Sequence, residues 1–148
     1  MLAHDDTADS ITAIEQVIDL TLPMVSFIRD DYDTHAIETL TSLRDTLGTG
    51  RIYHITLSPL HYSAAEVAGG YFDRQYSLFF KHIKNLDLRV VFRTMHEMNG
   101  GRYPRSGEPE NFKKAWIHVY ELARDAGLDQ RQILFDLSVN GRDMPPAG

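Results

Sequence analysis

Apolar residues occur in two patterns of spacing, which alternate along the chain. Four segments place apolar residues three or four positions apart, which predicts amphipathic helices. These helices are predicted to begin at Asp9-Ser10, Asp33-Thr34, Phe72 and Pro109-Glu110. Between them, short runs rich in β-branched and aromatic residues predict strands over 24–28, 51–57, 88–95 and 133–139. The stretch that contains Gly69-Gly70 and the polar stretch 99–107 are predicted to be loops.

The order of these elements is helix, strand, repeated four times with short connections. Alternation of this kind is typical of parallel strands joined by right-handed crossovers. The strands are continuous apolar runs, which predicts that both faces of the sheet are covered. We therefore expect an α/β fold with about four parallel strands, in a single domain over residues 1–148.

The composition of the chain disfavours or excludes several classes of function. The chain has 148 residues, with 21 acidic against 15 basic side chains and a net charge of −6. This balance disfavours a nucleic-acid partner, which a basic surface would normally bind. No apolar run approaches the ~20 residues of a membrane helix, and the acidic start lacks the features of a signal peptide. The absence of cysteine excludes disulfides and thiolate metal sites.

Polar residues at strand ends are the first candidates for chemistry, because parallel α/β folds bind ligands there. They are Asp30 and Asp31; Ser58 and His61; Arg93, His96, Glu97 and Asn99; and Asn140, Arg142 and Asp143. The third group is the densest. It is not a zinc motif, because H-E-x-x-H would need a second histidine where Gly100 stands. The chain also lacks a phosphate-binding loop and a G-x-S-x-G nucleophile elbow.

Glu97 fits the role of a general acid in glycoside hydrolysis. That reaction needs one protonated carboxylic acid at the leaving oxygen and, in retaining enzymes, a second carboxylate about 5–5.5 Å away. Asn99 could hydrogen-bond the sugar or hold Glu97, and His96 could position the acid or the substrate.

Structural roles compete with these assignments. Arg93 and Glu97 could form an ion pair inside a barrel, and His96 could be a core histidine. Three segments could simply form turns: Asn99-Gly100-Gly101, Asn140 and Asp30-Asp31. Trp116 could pack in the core, and His54 and His61 could be structural or exposed to solvent.

The segment 91–100, V-F-R-T-M-H-E-M-N-G, resembles the acid/base segment of family 26 glycoside hydrolases, the β-mannanase family. The resemblance continues through the G-Y-F-D of 70–73, the helix start 109–116 and the last predicted strand 133–140. It covers about four fifths of the chain.

The resemblance implies a (β/α)8 barrel of which this chain holds about the second to the fifth strands. Glu97 would be the acid/base on the fourth strand of a retaining enzyme that needs no metal or cofactor. The ligand would be a β-linked, mannan-like polysaccharide or oligosaccharide. The residues expected to bind it are His96, Asn99, Arg93, Tyr103 and Asn140.

Two departures from the family stand out. Arg102 and Arg105 occupy the stretch where the family carries sugar-stacking tryptophans, so that Tyr103 is left as the aromatic platform and an arginine could read sugar hydroxyls or an acidic sugar. Mannan specificity is therefore open. The family nucleophile is a glutamate on the seventh strand, beyond the four strands predicted here, and a complete barrel takes ~250 residues.

These observations leave two main hypotheses. The first is a retaining hydrolase of β-mannanase type, which by family resemblance would be exported. The alternative is a non-catalytic carbohydrate-binding or self-associating half-barrel, since an open sheet exposes two edges and an apolar interior. The partner would then be a second copy or the remainder of the barrel. A truncated product of a longer gene is the third possibility.

Overall fold

The computed structural model describes residues 8–29 and 34–141, in which helices and strands alternate. The helices are α1 (Ala8–Ile18), α2 (Thr34–Leu47), α3 (Ala64–Ala68), α4 (Asp73–Leu86) and α5 (Pro109–Asp125). The strands are β1 (Met24–Arg29), β2 (Ile52–Leu57), β3 (Arg89–Arg93) and β4 (Ile133–Phe135). The candidates Asp30, Asp31, Arg142 and Asp143 lie outside the described residues.

The four strands form one parallel sheet in the order β1-β2-β3-β4. One register row runs from Val25 through Tyr53 and Val90 to Ile133. Because sequential strands are neighbours and always parallel, each connection must return over the sheet, and helices make these returns. The predicted α/β class and parallel order are confirmed.

One face of the sheet packs against the helices and forms the core. The side chains on this face are buried: Val25, Phe27, Tyr53, Ile55, Val90 and Phe92. Phe92 is fully buried and lies among four other aromatic rings with centroids 5.1–6.3 Å away, those of Phe80, Phe135, Phe79 and Tyr76. Helix α4 supplies three of these rings, because its apolar residues recur at helical spacing.

The other face of the sheet, called the open face below, is less covered in the described part of the chain: it is exposed on β1 and β4 and mostly half-buried on β2 and β3, where Thr56 is buried. Met24, Ile28 and Leu134 on this face are 51%, 52% and 57% exposed. Burial along β1 therefore alternates between exposed and buried residues. The prediction that both faces are covered is wrong for the described part of this chain. Continuous apolar runs are typical of strands in complete α/β folds, in which both faces of the sheet are covered.

Three predicted boundaries also need correction. Residues 64–68 form helix α3 inside the predicted loop, started by a capping box in which Ser63 and Glu66 bond each other's backbone. Strand β4 stops at Phe135 instead of 139, and β3 stops at Arg93 instead of 95. The first helix begins at Ala8, so Asp9-Ser10 lies inside it.

No helix in the described ranges has the length and apolar character needed to cross a membrane.

Candidate active site

The chain leaves β3 along an unusual backbone path that ends at Glu97. Met95 and Glu97 both have left-handed backbones, with φ of 46° and 56°, although neither is glycine. Met95 is fully buried, while Glu97 is partly buried. The Glu97 amide donates to the Ser138 carbonyl at 2.8 Å, and the Gly100 amide donates to the Glu97 carbonyl at 2.9 Å. The N–H and the carbonyl of Glu97 are thus both held, which offsets the strain and fixes the direction of its Cα–Cβ bond.

Asn99 and Asn140 form a reciprocal pair that joins the loops after β3 and β4. The Asn140 amide donates to Asn99 Oδ1 at 2.7 Å, and Asn99 Nδ2 donates to the Asn140 carbonyl at 3.0 Å. A Cβ on Gly100 would lie only 3.3 Å from the Glu97 carbonyl oxygen and 3.4 Å from Asn140 Nδ2. The pair therefore explains the glycine at position 100 and joins the loop that carries Glu97 to the segment after β4.

His96 and Tyr103, both predicted to bind sugar, lie together. His96 Nε2 and the Tyr103 hydroxyl are 3.1 Å apart, and the two rings meet edge-on at 5.3 Å. Both residues are partly buried. One polar edge and one aromatic ring thus lie together in the loop that carries Glu97.

Arg105 is buried and does not face the solvent, contrary to the expectation that it could read a sugar. It is 1% exposed. Its Nη2 donates to the His96 carbonyl at 3.0 Å and to Ser58 Oγ at 3.2 Å, and its Nη1 donates to the Pro59 carbonyl at 3.2 Å. These bonds compensate the burial of the guanidinium and connect the ends of β2 and β3.

The guanidinium groups of two arginines in the same loop, Arg102 and Arg105, lie near the ring of Tyr103. The Arg105 guanidinium lies 4.1 Å from the centre of the Tyr103 ring, whereas that of the exposed Arg102 lies at 6.0 Å. The Arg105 contact is a close cation–π interaction. Arg102 therefore remains the arginine of this loop that a ligand could reach.

Arg93 bonds Asp136 on the open face, so the Arg93–Glu97 ion pair considered from the sequence is not what the structure forms. Arg93 Nε donates to Asp136 Oδ2 at 2.8 Å, and Arg93 Nη2 donates to the same oxygen. His54 Nε2 lies 3.2 Å from that oxygen, and Ser26 Oγ lies 3.2 Å from His54 Nδ1. With its proton on Nε2, His54 donates to Asp136 and accepts from Ser26.

This open-face network explains why the pKa of the Asp136 carboxyl is lowered. Burial by itself raises the pKa of the Asp136 carboxyl, but the hydrogen bond and charge of Arg93, with a smaller contribution from His54, outweigh burial and lower that pKa below its ordinary value. Sequence reasoning gave His54 only a structural or solvent role and did not single out Asp136. The contact between Ser26 and His54 depends on the register of β1 and β2, which the sequence alone does not show.

The remaining candidates take structural places. Ser58 is fully buried against Arg105, His61 is exposed, and Trp116 stacks on Phe112 with ring centroids 5.9 Å apart, as its core assignment predicted. Asn140 holds the Asn99 loop, as described above. In residues 8–29 and 34–141, no group of three or more His, Asp or Glu side chains is arranged to hold a metal ion.

Gly70 and Asp73, which belong to a segment that resembles family 26, also have a structural explanation. Gly70 has φ of +86°, and a Cβ there would lie 2.9 Å from Asp73 Oδ2. Asp73 in turn accepts a hydrogen bond from His118 Nε2 at 2.6 Å, which links the first turn of α4 to α5. The glycine thus permits the close turn that starts α4.

Comparison with solved structures shows a similar fold. A GH26-CBM35 β-(1,4)-mannanase from Podospora anserina superposes on 91% of this chain with a TM-score of 0.64 and 18% sequence identity. The chain has the fold of a partial (β/α)8 barrel. It spans 38% of the length of that mannanase. No protein-family model matches the sequence, and no curated protein matches it.

Proposed function

We propose that this chain carries the acid/base segment of a retaining glycoside hydrolase that acts on β-linked, mannan-like polysaccharide. The observation that carries the proposal is the placement of Glu97 at the carboxyl end of β3, on a left-handed backbone held by the loop after β4. The fold likeness to a β-mannanase and the H-E-M-N-G sequence support it.

In this proposal Glu97 donates its proton to the glycosidic oxygen as the bond to the sugar breaks. The same carboxylate then removes a proton from the water that releases the sugar. Between these steps a second carboxylate, about 5–5.5 Å away, holds the glycosyl group covalently. That carboxylate would lie on a part of the barrel beyond the four strands described, since the chain spans 38% of the comparable mannanase.

The surrounding residues receive distinct roles. Tyr103 offers its ring as a sugar platform and its hydroxyl, with His96, as a polar contact. Asn99 and Asn140 act as positioning residues, because the side-chain amide of Asn99 bonds both the backbone N–H and the carbonyl of Asn140. Arg93 keeps Asp136 ionised on the open face and acts on the substrate only through that network.

The test compares Glu97→Gln with a matched control, Glu121→Gln, on the exposed side of α5. Sugar release from soluble β-mannan, xylan and mixed-linkage glucan would be measured together with oligosaccharide binding. In a complete barrel that supplies the second carboxylate, we expect Glu97→Gln to lower release about 10²–10⁴-fold while binding changes little, because general acid–base catalysis contributes about that factor. Glu121→Gln should leave both unchanged. Release that survives in Glu97→Gln would refute the assignment, and so would the absence of both release and binding.

The second candidate is a carbohydrate-binding half-barrel without catalysis. Asp136, the described carboxylate on the strand next to Glu97, is engaged by Arg93 and His54 and so does not offer a free nucleophile. Binding of mannan oligosaccharides without sugar release would favour this candidate over the first.

A further inference from the structure

Tyr62 and Tyr71 form an exposed aromatic pair at the two ends of helix α3. Their ring centroids lie 5.2 Å apart, and the rings are tilted by 33°. Tyr71 is 61% exposed, while Tyr62 is half-buried. Both rings also contact the buried Phe72 edge-on, with centroids 4.8 and 5.1 Å away. Phe72 thus anchors in the core a pair whose outer side faces the solvent.

The position of this pair in the sheet separates it from other exposed apolar residues. Most of those lie on or beside α1, β1, α5 and β4, the outer elements, which the remaining strands of a barrel would adjoin. The connection from β2 to β3 carries Tyr62 and Tyr71, and each of these two strands is paired on both sides. The exposure of Tyr71 therefore does not follow from the length of this chain. A contiguous exposed aromatic patch of this kind is typical of a binding surface.

Helix α3 holds the two rings beside each other. Tyr62 directly precedes Ser63, whose capping box with Glu66 begins the helix. After the helix, the positive φ of Gly70 turns the chain back, and the Tyr71 amide donates to the Glu66 carbonyl at 3.2 Å. Hydrogen bonding to Tyr71 is the largest cause that raises the pKa of the Tyr62 hydroxyl above its ordinary value. This hydroxyl is therefore protonated at neutral pH and can donate to a ligand.

The pair lies on the same rim of the sheet as the loop after β3. The connection after β2 and the loop after β3 both leave the carboxyl edge of the parallel strands. They meet at the carbonyl of Pro59, which accepts from the Tyr62 amide at 3.3 Å and from Arg105 Nη1 at 3.2 Å. The Arg105 guanidinium in turn lies 4.1 Å from the centre of the Tyr103 ring. One buried cation therefore fixes Tyr62 relative to Tyr103.

Two aromatic surfaces on one rim suit a ligand that repeats along its length. One side of a sugar ring presents C–H groups that pack on an aromatic face, while its hydroxyls need hydrogen-bond partners beside that face. Glu66 is exposed and lies close enough to the pair for its charge to act on the Tyr62 hydroxyl, so it offers an acceptor there.

We propose that Tyr62 and Tyr71 form a second sugar platform, which binds a further stretch of the same β-linked polysaccharide that reaches Glu97. This inference rests on the proposed function for the identity of its ligand. It adds a binding site away from the reacting carboxylate, so that longer chains gain affinity from contacts that short ones do not make.

Affinity for oligosaccharides of different lengths tests the platform. Calorimetric titration of the whole chain would compare β-1,4-linked mannobiose with mannohexaose. We expect mannohexaose to bind more tightly, and Tyr71→Ala to reduce that advantage about three- to tenfold, the range expected for one aromatic contact. Tyr120→Ala is the matched control, because Tyr120 is 45% exposed on α5 and also contacts a phenylalanine ring. Circular dichroism and the urea midpoint establish that both variants fold.

Tyr71→Trp separates stacking from hydrogen bonding and supplies an optical signal. The indole keeps an aromatic face and removes the hydroxyl, so the preference for the longer ligand should be retained. The fluorescence of the new indole should shift to the blue when mannohexaose is added. The single native tryptophan, Trp116, is half-buried on α5, and the unsubstituted chain gives its background.

Several outcomes would overturn the platform. They are a length preference that Tyr71→Ala leaves intact, an equal weakening by Tyr120→Ala, an emission of Tyr71→Trp that mannohexaose does not change, and no binding of either oligosaccharide. The role of Glu97 fails separately, because it is read from sugar release. Release lost in Glu97→Gln beside an unchanged length preference in Tyr71→Ala rejects the platform alone. The reverse pair of results rejects the catalytic assignment alone.

Discussion

The two faces of the sheet are made by the same four strands and follow different rules. On the helix-covered face, Phe92 is fully buried among four aromatic rings. On the open face, its sequence neighbours Val91 and Arg93 are partly exposed, and Arg93 joins a polar network. Because side chains alternate along a strand, adjacent residues of β3 contribute to different faces, one to the core and the next to the open face.

The difference indicates where stability and recognition each reside. The covered face is apolar and close to fully packed, so it accounts for the folding of the described chain. The open face combines apolar side chains with Ser26, His54, Arg93 and Asp136, a mixture that suits contact with further protein. Four predictions test this contrast, in order of expected effect.

Phe92→Ala and Val91→Ala compare the two faces directly, because the two residues are adjacent in β3. We expect Phe92→Ala to lower the free energy of unfolding by about 3–5 kcal/mol, since it leaves a cavity among packed rings. Val91→Ala should cost less than about 1.5 kcal/mol, because part of its surface is already in water. Urea unfolding followed by circular dichroism measures both. Equal losses would mean that the open face is packed in solution.

Arg105→Ala tests the one charged residue that is buried among the described residues. It removes the guanidinium that donates to the carbonyls of Pro59 and His96 and to Ser58 Oγ, so we expect a loss of about 2–4 kcal/mol. Lysine should not restore the stability, because it cannot reproduce the planar fork of donors. The exposed Arg102→Ala is the control and should change stability by less than about 0.5 kcal/mol. A similar loss in both variants would contradict the anchoring role.

Asp136→Asn tests the ion pair of the open face through pH. The pKa of Asp136 is lower in the folded chain than its ordinary value, because Arg93 and His54 outweigh burial. Its stabilising contribution is therefore complete above pH ~4 and is lost as the pH falls through the lower folded pKa. We expect Asp136→Asn to cost about 1 kcal/mol at pH 7. The cost should shrink at pH 2–3 in urea unfolding. A difference that stays constant with pH would rule out the charge as its cause.

Ser26→Ala should have the smallest effect. Its hydroxyl bonds His54 at an exposed position, so we expect a change below about 0.5 kcal/mol in thermal unfolding of the dilute protein. A loss above about 1 kcal/mol at the lowest concentration would show that the open face is already shielded in the single chain.

The helices and the parallel strand order were predictable, because apolar spacing is a local property of the sequence. The faces of α4 and α5 hold the side chains that periodicity assigned to them, including Tyr76, Phe79, Phe112 and Val119. Helix α3 was missed although Ser63 and Glu66 carry the S-x-x-E signal, because Gly69-Gly70 and short length argued for a loop. Strand β4 pairs with β3 only over Ile133–Phe135, because β3 itself ends at Arg93.

The candidate site was predictable only in part. Glu97, His96 and Tyr103 could be proposed because they follow a strand within a few residues of one another. Most contacts of Arg105, His54 and Asp136 could not, since they join residues 28 to 82 positions apart. Contacts of that kind depend on strand register and loop path, which no local pattern encodes.

Arg105 makes the loop after β3 inseparable from the end of β2. A protein engineer who moved residues 93–107 onto another barrel, in order to import the Glu97 loop, would bring a buried cation whose acceptors at Ser58 and Pro59 stay behind. The unit that can be transplanted therefore contains both loops. Random libraries built on this chain should accordingly tolerate changes at Arg102, which is exposed, far better than at Arg105, which is 1% exposed.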